Sequence, residues 1–427
     1  MIAERLLPIP RFRQRVVAEG RGMPRWELDP HFDLASHVAE IVLPAPADEA
    51  ALQALVGGMM TTPLPADRPL WRFHLVRGYE GGSAVIGQLH HCIADGIALM
   101  LVLLTLTDVD GEPALLAGGS PLAGLFQRAA AAVERARSFA EEVMPEALGL
   151  MLRSPRAVRR WGMWPMVAGA GALGRLVLRR PDPRTPLKGR LGGAKRVAWS
   201  RPIPLERVKG LSRRLGGTIN DVLPSALAGA LGSYLRTRGD RVEGLSFRAA
   251  VPVNLRTLDR MAELGNRFGL IFLSLPVGIA DPLARLAEMR RRTAALKGSP
   301  EPLVTYGILG AMGRLSHTLQ RQVVRIFGTK ATTVLTNVPG PRRALAVAGH
   351  RLRGLMFWVP QSGNLGLGLS ICSYAGEVRL GVASDSGLVP DPEVIVGAFE
   401  EELAVMDRLA ESAAQPSPIS APAASSR

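Results

Sequence analysis

Two adjacent histidines, followed at a short distance by an aspartate and a glycine, are the residues of this chain best suited to chemistry. Residues 90–96 read HHCIADG and contain His90, His91, Asp95 and Gly96. An imidazole loses its proton near neutral pH, so it can accept a proton from a hydroxyl group under cellular conditions. The heptad therefore predicts a histidine general base at a place where a rigid element meets a cleft.

Structural explanations of the same heptad stay open. Paired histidines often serve packing, and Asp95 is a suitable N-cap, because its carboxylate can accept hydrogen bonds from the free N–H groups of a following helix. Cys92 is a candidate nucleophile. Its neighbours in the sequence carry no positive charge that would lower the pKa of the thiol, so the thiol is the weaker candidate.

Two regular elements are expected to position the heptad. Residues 83–89 form a short apolar run after Gly81 and Gly82, which predicts a strand. Residues 96–106 are apolar on every side, which predicts a fully buried helix. The stretch RPLWRFHLV at 68–76 alternates with period two, which predicts a strand whose apolar face carries Trp71, Phe73 and Leu75.

The rest of the chain reads as alternating helices and strands. Asp48 is the expected cap of a helix at 49–60, and Thr218 or Asp221 is the expected cap of the helix opened by TIND at 218–221. Pro224 is tolerated in the first turn if Asp221 is the cap. Other expected strands are 38–43, 196–200, 246–253, 270–277, 352–359, 366–372 and 377–382, and other expected helices are 122–150, 205–215, 281–297 and 391–410.

Three motifs together carry a family resemblance. They are PLW at 69–71, HHCIADG at 90–96 and TNVPGP at 336–341, the last a strand ending in a rigid turn. With them the chain resembles the bacterial wax ester synthase/diacylglycerol acyltransferase family, one of the CoA-dependent acyltransferases that share HHxxxDG. The resemblance covers most of the chain, from about Pro10 to the last expected helix. It implies an α/β fold of two chloramphenicol-acetyltransferase-like lobes with mixed sheets and a channel between them.

The resemblance also implies a reaction and roles for residues. A long-chain acyl group would move from acyl-CoA to the hydroxyl of diacylglycerol or of a long-chain alcohol, with His91 as general base and without a covalent enzyme intermediate. His90, Asp95 and Gly96 would support the loop. No cofactor is implied, because acyl-CoA is a substrate, and the sequence shows no metal-ligand constellation.

Three amides and carboxylates are further candidates near the implied channel. Asn220 and Asp221 form the ND pair that recurs in the family, and Asn337 lies in TNVPGP. They line the channel, or they only cap a helix and fix the interface between the lobes. Both interpretations stay open.

Domain boundaries follow from composition. We expect a first lobe at 1–180, a Pro-rich linker at 181–186, a second lobe at 187–411 and a disordered Ser/Ala/Pro tail at 412–427. Residues 153–180 combine tryptophans with arginines, which fits either an interfacial helix or an ordinary amphipathic helix. Members of the family carry a further segment before this start, and we expect its absence to open the first lobe.

Composition indicates which partners the protein binds and where in the cell it works. The net charge of +15 suits CoA phosphates or anionic lipid, with a basic cluster of Lys188, Arg190, Lys195 and Arg196 as a candidate donor site. Nucleic acid is not expected, since no zinc spacing or RNA-binding motif is found. Two cysteines and no signal peptide or spanning run indicate a cytoplasmic protein, either free or peripheral at the inner membrane or lipid droplets.

Three other functions share some of these features. A condensation domain of a peptide synthetase would carry HHxxxDG, although TNVPGP argues against it. A small-molecule acyltransferase would need a confined acceptor pocket. A catalytically silent lipid-surface protein would not need an intact HHCIADG. The resemblance leaves the choice between wax ester and triacylglycerol synthesis open.

Overall fold

The computed structural model describes residues 1–18, 23–109, 112–113, 178–255, 264–297, 299, 301–312, 317–359, 361 and 363–412. The strands are β1 Gln14–Val17, β2 Arg25–Leu28, β3 Val38–Val42, β4 Trp71–Arg77, β5 Ser83–Leu89, β6 Asp108–Val109, β7 Glu112–Pro113, β8 Lys195–Trp199, β9 Ile203–Pro204, β10 Phe247–Asn254, β11 Phe268–Leu275, β12 Thr333–Pro339, β13 Ala346–Val347, β14 His350–Arg351, β15 Leu367–Tyr374 and β16 Glu377–Asp385. The helices are α1 Ile2–Arg5, α2 Glu49–Thr61, α3 Gly96–Thr105, α4 Leu205–Arg214, α5 Ile219–Thr237, α6 Pro282–Leu296, α7 Glu301–Met312, α8 His317–Thr329 and α9 Pro392–Ser412.

A three-stranded sheet in the N-terminal half carries the heptad. Strand β3 runs parallel to the central strand β4, and β4 pairs antiparallel with β5. Helix α2 begins at its predicted cap, where the Asp48 carboxylate accepts a hydrogen bond from Ala51 N. Helix α2 packs Leu52 and Val56 with Val76 of β4 in one apolar cluster, which also contains Val197 of β8. The same helix therefore contacts both halves of the chain.

Trp71 is the main anchor of this sheet. The side chain is 1% exposed, and its indole Nε1 donates a 2.8 Å hydrogen bond to the carbonyl of Phe12. The ring of His37 stacks on it at a centroid distance of 4.4 Å. Aromatic rings contribute large buried areas, and a buried indole N–H needs an acceptor. The N-terminal segment, the 3-10 turn at 34–37 and β4 are thus held together by one side chain.

The predicted single apolar face of β4 is only partly right. Trp71 and Phe73 are buried, but Leu75 on the same face is 40% exposed, whereas His74 on the opposite face is only 6% exposed. The reason is that α2 covers the opposite face of the sheet. Period-two hydrophobicity identified the strand, while the distribution of burial depended on a helix that the local pattern does not show.

A seven-stranded mixed sheet forms the centre of the C-terminal half. The strand order is β11-β10-β12-β15-β16-β8, and β9 also pairs with β16. Strands β10, β12 and β15 are mutually parallel, and the other pairs are antiparallel. Helix α5 is buried along its length, with Leu227, Leu231 and Leu235 at 0% exposure. Strands β15 and β16 are buried along most of their length, as expected for strands covered on both faces.

Small strands connect the two halves. Strand β6, which follows α3, pairs antiparallel with β13 through Asp108 and Ala346. These strands belong to a four-stranded sheet of order β14-β13-β6-β7. The N-terminal half therefore contributes two strands to a sheet completed by residues more than 200 positions away.

Several sequence predictions need correction. Residues 352–359 form no strand, and the nearest strand is the short β14. Helices α7 and α8 were not predicted. Pro224 lies beyond the first turn of α5, because Thr218 rather than Asp221 is the cap. The interfacial segment expected at 153–180 lies outside the described residues except for 178–180, and the helix at 122–150 and the tail from 413 lie outside them entirely.

The expected linker at 181–186 is attached to the C-terminal sheet. The Asp182 carboxylate accepts hydrogen bonds from Arg248 N and Nε at 2.8 and 2.6 Å and from Thr332 Oγ1 at 2.9 Å. The segment still separates the two halves in sequence, but its aspartate is 6% exposed and part of the core. Its role as a domain boundary stays a prediction.

Replacing the anchor tests the packing of the first sheet. Trp71→Ala should lower the free energy of unfolding by about 3–5 kcal/mol, because it leaves a cavity and an unpaired carbonyl at Phe12. Chemical denaturation, monitored by circular dichroism, measures this free energy of unfolding. Leu75→Ala on the same strand is the control, and it should change stability little since the side chain is already exposed. An equal loss of unfolding free energy in the two variants would contradict the role of Trp71 as the anchor of the sheet.

Candidate active site

The heptad forms a tight turn between β5 and α3. The backbone N–H of His90 donates to Leu70 O at 2.9 Å, which extends the pairing of β4 and β5 by one residue. The N–H of Ile93 donates to His90 O at 3.0 Å and closes the turn. Helix α3 then begins at Gly96, with Asp95 as its N-cap accepting from Ala98 N at 3.2 Å. The capping interpretation of Asp95 agrees with the structure.

His91 is partly buried. Its ring meets the ring of Phe268 edge to face at a centroid distance of 5.9 Å. Among the described residues, no group forms a hydrogen bond with either imidazole nitrogen of His91. Within the described part of the chain, the ring is therefore oriented by packing and by its backbone.

His90 has a different environment. Its Nδ1 accepts a hydrogen bond from the backbone N–H of Cys92 at 3.2 Å, so this nitrogen is occupied inside the turn. Desolvation lowers the pKa of His90, and the neighbouring His91 lowers it further. A neutral imidazole is required for Nδ1 to accept. The arrangement fits the supporting role predicted for His90.

Among the described residues, segment 265–267 of the C-terminal half forms at least four hydrogen bonds with the heptad, and we call these four the 95–265 contact. Asp95 N donates to Gly265 O at 3.2 Å, and Gly265 N donates to Ile93 O at 3.1 Å. Arg267 N donates to Asp95 Oδ2 at 3.0 Å, and Asn266 Nδ2 donates to His91 O at 2.8 Å. The carboxylate of Asp95 therefore caps α3 and binds the opposite half at once.

Gly265 is the residue that shapes this contact. Its φ of +115° lies in a region that side chains with a Cβ rarely adopt. This conformation allows its N–H and its C=O both to pair with the heptad, alongside an isolated bridge to Ala94. Gly265 is the first residue of the sequence GNRFG at 265–269, which leads into β11. Nothing local indicated its partner 170 residues away.

Strand β12 brings the TNVPGP motif to the same region. A Cβ added to Gly96 would lie 3.9 Å from Val338 Cγ2, so the start of α3 faces the end of β12. Asn337 Nδ2 donates to Asn220 Oδ1 at 2.8 Å, which joins β12 to the first turn of α5. The structure therefore brings Asn220 and Asn337 together, beside the strand that approaches Gly96.

Asp221 has a structural position. Its Oδ2 accepts from the backbone N–H and the hydroxyl of Thr218 at 2.8 and 2.7 Å, and its Oδ1 accepts from Thr293. Burial alone would raise the pKa of Asp221, but the hydrogen bonds from Thr293 and Thr218 bring it below its usual value. The carboxylate belongs to the capping box of α5. The direct channel role of Asp221 stays a prediction.

Cys92 is a poor nucleophile in this structure. Burial raises the pKa of its thiol, so the thiolate is scarce at neutral pH. The fold does place the charge of Arg11 close enough to lower that pKa, which the local sequence did not reveal. Burial outweighs this effect, and the weaker ranking of the thiol agrees with the structure.

The basic cluster predicted to meet CoA phosphates is not a single surface. Lys188 Nζ donates to Thr329 O and Ala331 O at 2.8 and 2.7 Å, and Lys195 Nζ pairs with buried Asp385 at 3.3 Å. Both lysines therefore have internal partners. Arg190 and Arg196 remain exposed. The predicted CoA-phosphate site was too broad, because basic residues that are close in the sequence do not all lie on one surface of the fold.

Two kinds of feature are absent from the described residues. No group of three or more His, Cys, Asp or Glu side chains there could hold a metal ion. No helix of the described ranges is long and apolar enough to cross a membrane.

Comparison with known sequences matches both halves of the chain to one family. The wax ester synthase/diacylglycerol acyltransferase catalytic domain matches residues 1–223, and the WS/DGAT C-terminal domain matches residues 264–407. The probable diacylglycerol O-acyltransferase tgs1 of Mycobacterium tuberculosis is 30% identical over 412 residues, covering 94% of this chain and 86% of the relative.

Solved structures show the same fold. The wax ester synthase/diacylglycerol acyltransferase from Marinobacter aquaeolei VT8 has a TM-score of 0.64 at 22% identity, covering 94% of this chain and 86% of that one. The first condensation domain of the CDA synthetase has a TM-score of 0.55 at 19% identity, covering 95% and 85%. The predicted α/β fold with mixed sheets is confirmed. The chain belongs to the wax ester synthase/diacylglycerol acyltransferase family.

Proposed function

We propose that this protein transfers a long-chain acyl group from acyl-CoA to the hydroxyl of diacylglycerol or of a long-chain alcohol. The observation that carries the proposal is His91, whose two ring nitrogens form no hydrogen bond with any described residue while its backbone is held by Asn266. Family membership and the name of the mycobacterial relative support the substrate class.

The proposed mechanism uses His91 as a general base. An imidazole nitrogen of His91 takes the proton of the acceptor hydroxyl while the oxygen attacks the thioester carbonyl. The C–S bond then breaks, and the departing thiolate of CoA receives the proton, which leaves the imidazole neutral again. General-base catalysis of this kind contributes about 10²–10⁴-fold, and the orientation of two bound substrates contributes the rest.

No covalent enzyme intermediate belongs to this mechanism. The raised pKa of Cys92 argues against a thioester on that residue. His90 and Asp95 act as positioning residues, since both bind backbone N–H groups within or beside the turn. Gly96 opens α3 next to Val338.

The lobe boundaries at 1–180 and 187–411, with a substrate channel between them, are part of the proposal. The 95–265 contact supports a site at the junction of the two halves. We propose that the protein works in the cytoplasm or peripherally at the inner membrane or lipid droplets, where its acceptor is found. Exposed Arg190 and Arg196 are the remaining candidates of the basic cluster for CoA phosphates.

Substitution of the proposed base is the most direct test. His91→Ala should remove nearly all acyl transfer from palmitoyl-CoA, because it removes the proposed acceptor of the hydroxyl proton. Cys92→Ala should remain active. In the unsubstituted protein kcat/KM should fall as the pH is lowered, since a protonated imidazole cannot accept a proton.

The two variants are compared at equal folded fraction, measured by circular dichroism. An active His91→Ala protein together with an inactive Cys92→Ala protein would show that the reaction passes through Cys92. That result would refute the general-base mechanism.

The hydrogen bond from Asn266 is expected to position the base. Asn266→Ala should lower kcat by about two- to tenfold with little change in KM, because one net hydrogen bond to His91 O is worth about 0.5–1.5 kcal/mol. Steady-state kinetics with palmitoyl-CoA measures both constants. Asn364→Ala, at an exposed turn, is the matched control and should leave both constants unchanged. A higher KM at unchanged kcat in Asn266→Ala would contradict the positioning role.

Acceptor choice separates this function from that of a small-molecule acyltransferase. With palmitoyl-CoA as donor, hexadecan-1-ol or dioleoylglycerol should give a higher kcat/KM than butan-1-ol, because apolar contacts along a long chain add binding energy. Release of CoA measures all three reactions. Preference for butan-1-ol would indicate a confined acceptor pocket and would overturn the proposed substrate class.

A further inference from the structure

Helix α8 has one side in the C-terminal core and the other side in solvent. On the inner side, Phe327 packs against the apolar cluster that contains Phe272 of β11 and Val334 of β12. On the outer side, the side chains at positions 318, 319, 321, 322, 325 and 326 are exposed. The chemistry of these exposed side chains therefore indicates which partner the helix can bind.

Two large aliphatic side chains form a stripe along the exposed side of α8. Leu319 is 47% exposed and Ile326 is 50% exposed. Because they are seven residues apart, they lie two turns apart on one face of the helix, with half-buried Val323 between them. Among the described residues, Leu283 of α6 and Val394 of α9 are each the only large apolar side chain exposed on their helix. The stripe on α8 therefore differs from the isolated apolar side chains that are normal on a protein surface.

The same exposed side of α8 carries positive charge without negative charge. Arg321 and Arg325 are exposed and lie one turn apart beside the aliphatic stripe. The sequence of α8 contains no aspartate or glutamate. Helix α7 contacts α8, and its one acidic residue, Glu301, is 8% exposed and pairs with Arg179 at 2.7 Å. Within the described residues, the two helices therefore present cationic side chains and no exposed carboxylate.

An anionic lipid surface matches both features of α8. Arginines at a bilayer surface are attracted to anionic headgroups, while aliphatic side chains enter the boundary between the headgroups and the acyl chains. A folded protein is a poorer match, because stable protein interfaces bury about 800 Å² per partner and have complementary shapes. A stripe of two aliphatic side chains is much smaller than such an interface. Lipids rearrange around a shallow protrusion, so a small stripe is sufficient for binding to a bilayer.

We propose that α8 is a docking surface for an anionic phospholipid bilayer. Leu319 and Ile326 enter the apolar boundary of the bilayer, and Arg321 and Arg325 bind lipid phosphates. The inference deepens the peripheral location proposed above and rests on that part of the proposed function. It does not depend on the chemistry of His91.

Helix α7 connects the docking surface to the candidate active site. It contacts α8, and its Thr305 Oγ1 accepts a 2.7 Å hydrogen bond from Leu270 N of β11. Strand β11 begins at Phe268, whose ring contacts the ring of His91. Diacylglycerol and long-chain alcohols dissolve in a bilayer rather than in water. Docking through α8 would therefore bring the site to the phase that contains its proposed acceptors.

One pair of double variants tests the aliphatic stripe. Leu319→Gln combined with Ile326→Gln removes the stripe and places good helix-forming residues at exposed positions. Leu283→Gln combined with Val394→Gln is the matched control, since it removes two exposed aliphatic side chains from other helices. Partition onto anionic vesicles should weaken about tenfold or more in the α8 variant, because less apolar surface leaves water. The control should bind like wild type.

A second pair of double variants tests the charge. Arg321→Gln combined with Arg325→Gln removes two positive charges from α8. Arg213→Gln combined with Arg408→Gln removes two positive charges from exposed positions of α4 and α9 and is the matched control. The α8 variant should lose about tenfold or more in partition, because each arginine near an anionic membrane strengthens binding. The control should stay within about twofold of wild type, since salt screens charges that lie far from the bilayer.

The experiment is co-sedimentation of the full chain with phosphatidylcholine vesicles that contain or lack phosphatidylglycerol. Wild type and both controls should bind the anionic vesicles, bind the neutral vesicles about tenfold more weakly or less, and lose affinity as salt is added. Thermal melting verifies that every variant is folded. His91→Ala should bind the vesicles like wild type, so failure of lipid docking is distinguishable from failure of the proposed acyl transfer.

Three results would overturn the proposal. Binding to anionic vesicles that is absent, or that is the same in either α8 double variant as in wild type, would show that α8 is not the docking surface. Equal binding to neutral vesicles would remove the arginines from the recognition. A wild-type dimer in light scattering that becomes monomeric in Leu319→Gln with Ile326→Gln, without a change in vesicle binding, would assign the stripe to self-association.

Discussion

The geometry of the candidate site depends on a few hydrogen bonds between the heptad turn and the segment before β11. Three of the four bonds in the 95–265 contact have a backbone N–H as the donor, and the fourth comes from Asn266 to the carbonyl of His91. A turn between a strand and a helix would otherwise have free polar groups at the junction of the two halves. Pairing them with Gly265 and Arg267 satisfies those groups and fixes the backbone of the proposed base. The imidazole nitrogens of His91 form no hydrogen bond with any residue that the structure describes.

Asp95 shows how one carboxylate combines local and distant roles. It caps α3 through Ala98 N, as the sequence alone suggested, and it also accepts from Arg267 N. A carboxylate has two oxygens and can accept several hydrogen bonds, so one role does not exclude the other. The capping explanation of Asp95 agrees with the structure, and it does not exclude the functional explanation of the heptad, which stays a prediction. Asp221 contrasts with it, since both of its oxygens are used within α5 and by Thr293.

The sequence predicted elements with strong local signals. The strand at 83–89, the helix opened by Asp95 and the helix capped by Asp48 follow from periodicity and capping, which depend on nearby residues. It did not predict the irregular path at 352–359 or the partner of Gly265, because both depend on contacts between distant parts of the chain. For the same reason it treated Lys188 and Lys195 as free charges although the fold gives each an internal partner. The exposure of Leu75 and the burial of His74 likewise depend on α2.

The pairing of β6 with β13 has a consequence for how substrates reach the site. Together with the 95–265 contact it attaches the two halves at two separate places along the chain, before and after α3. A hinge rotation that separated the halves would have to break hydrogen bonds at both places at once, and also the apolar contact of α2 with β8. Proteins that close around a substrate usually rotate about a few residues at one edge. These contacts hold the heptad turn in place in the free protein, so we expect substrates to reach the proposed base without separation of the two halves.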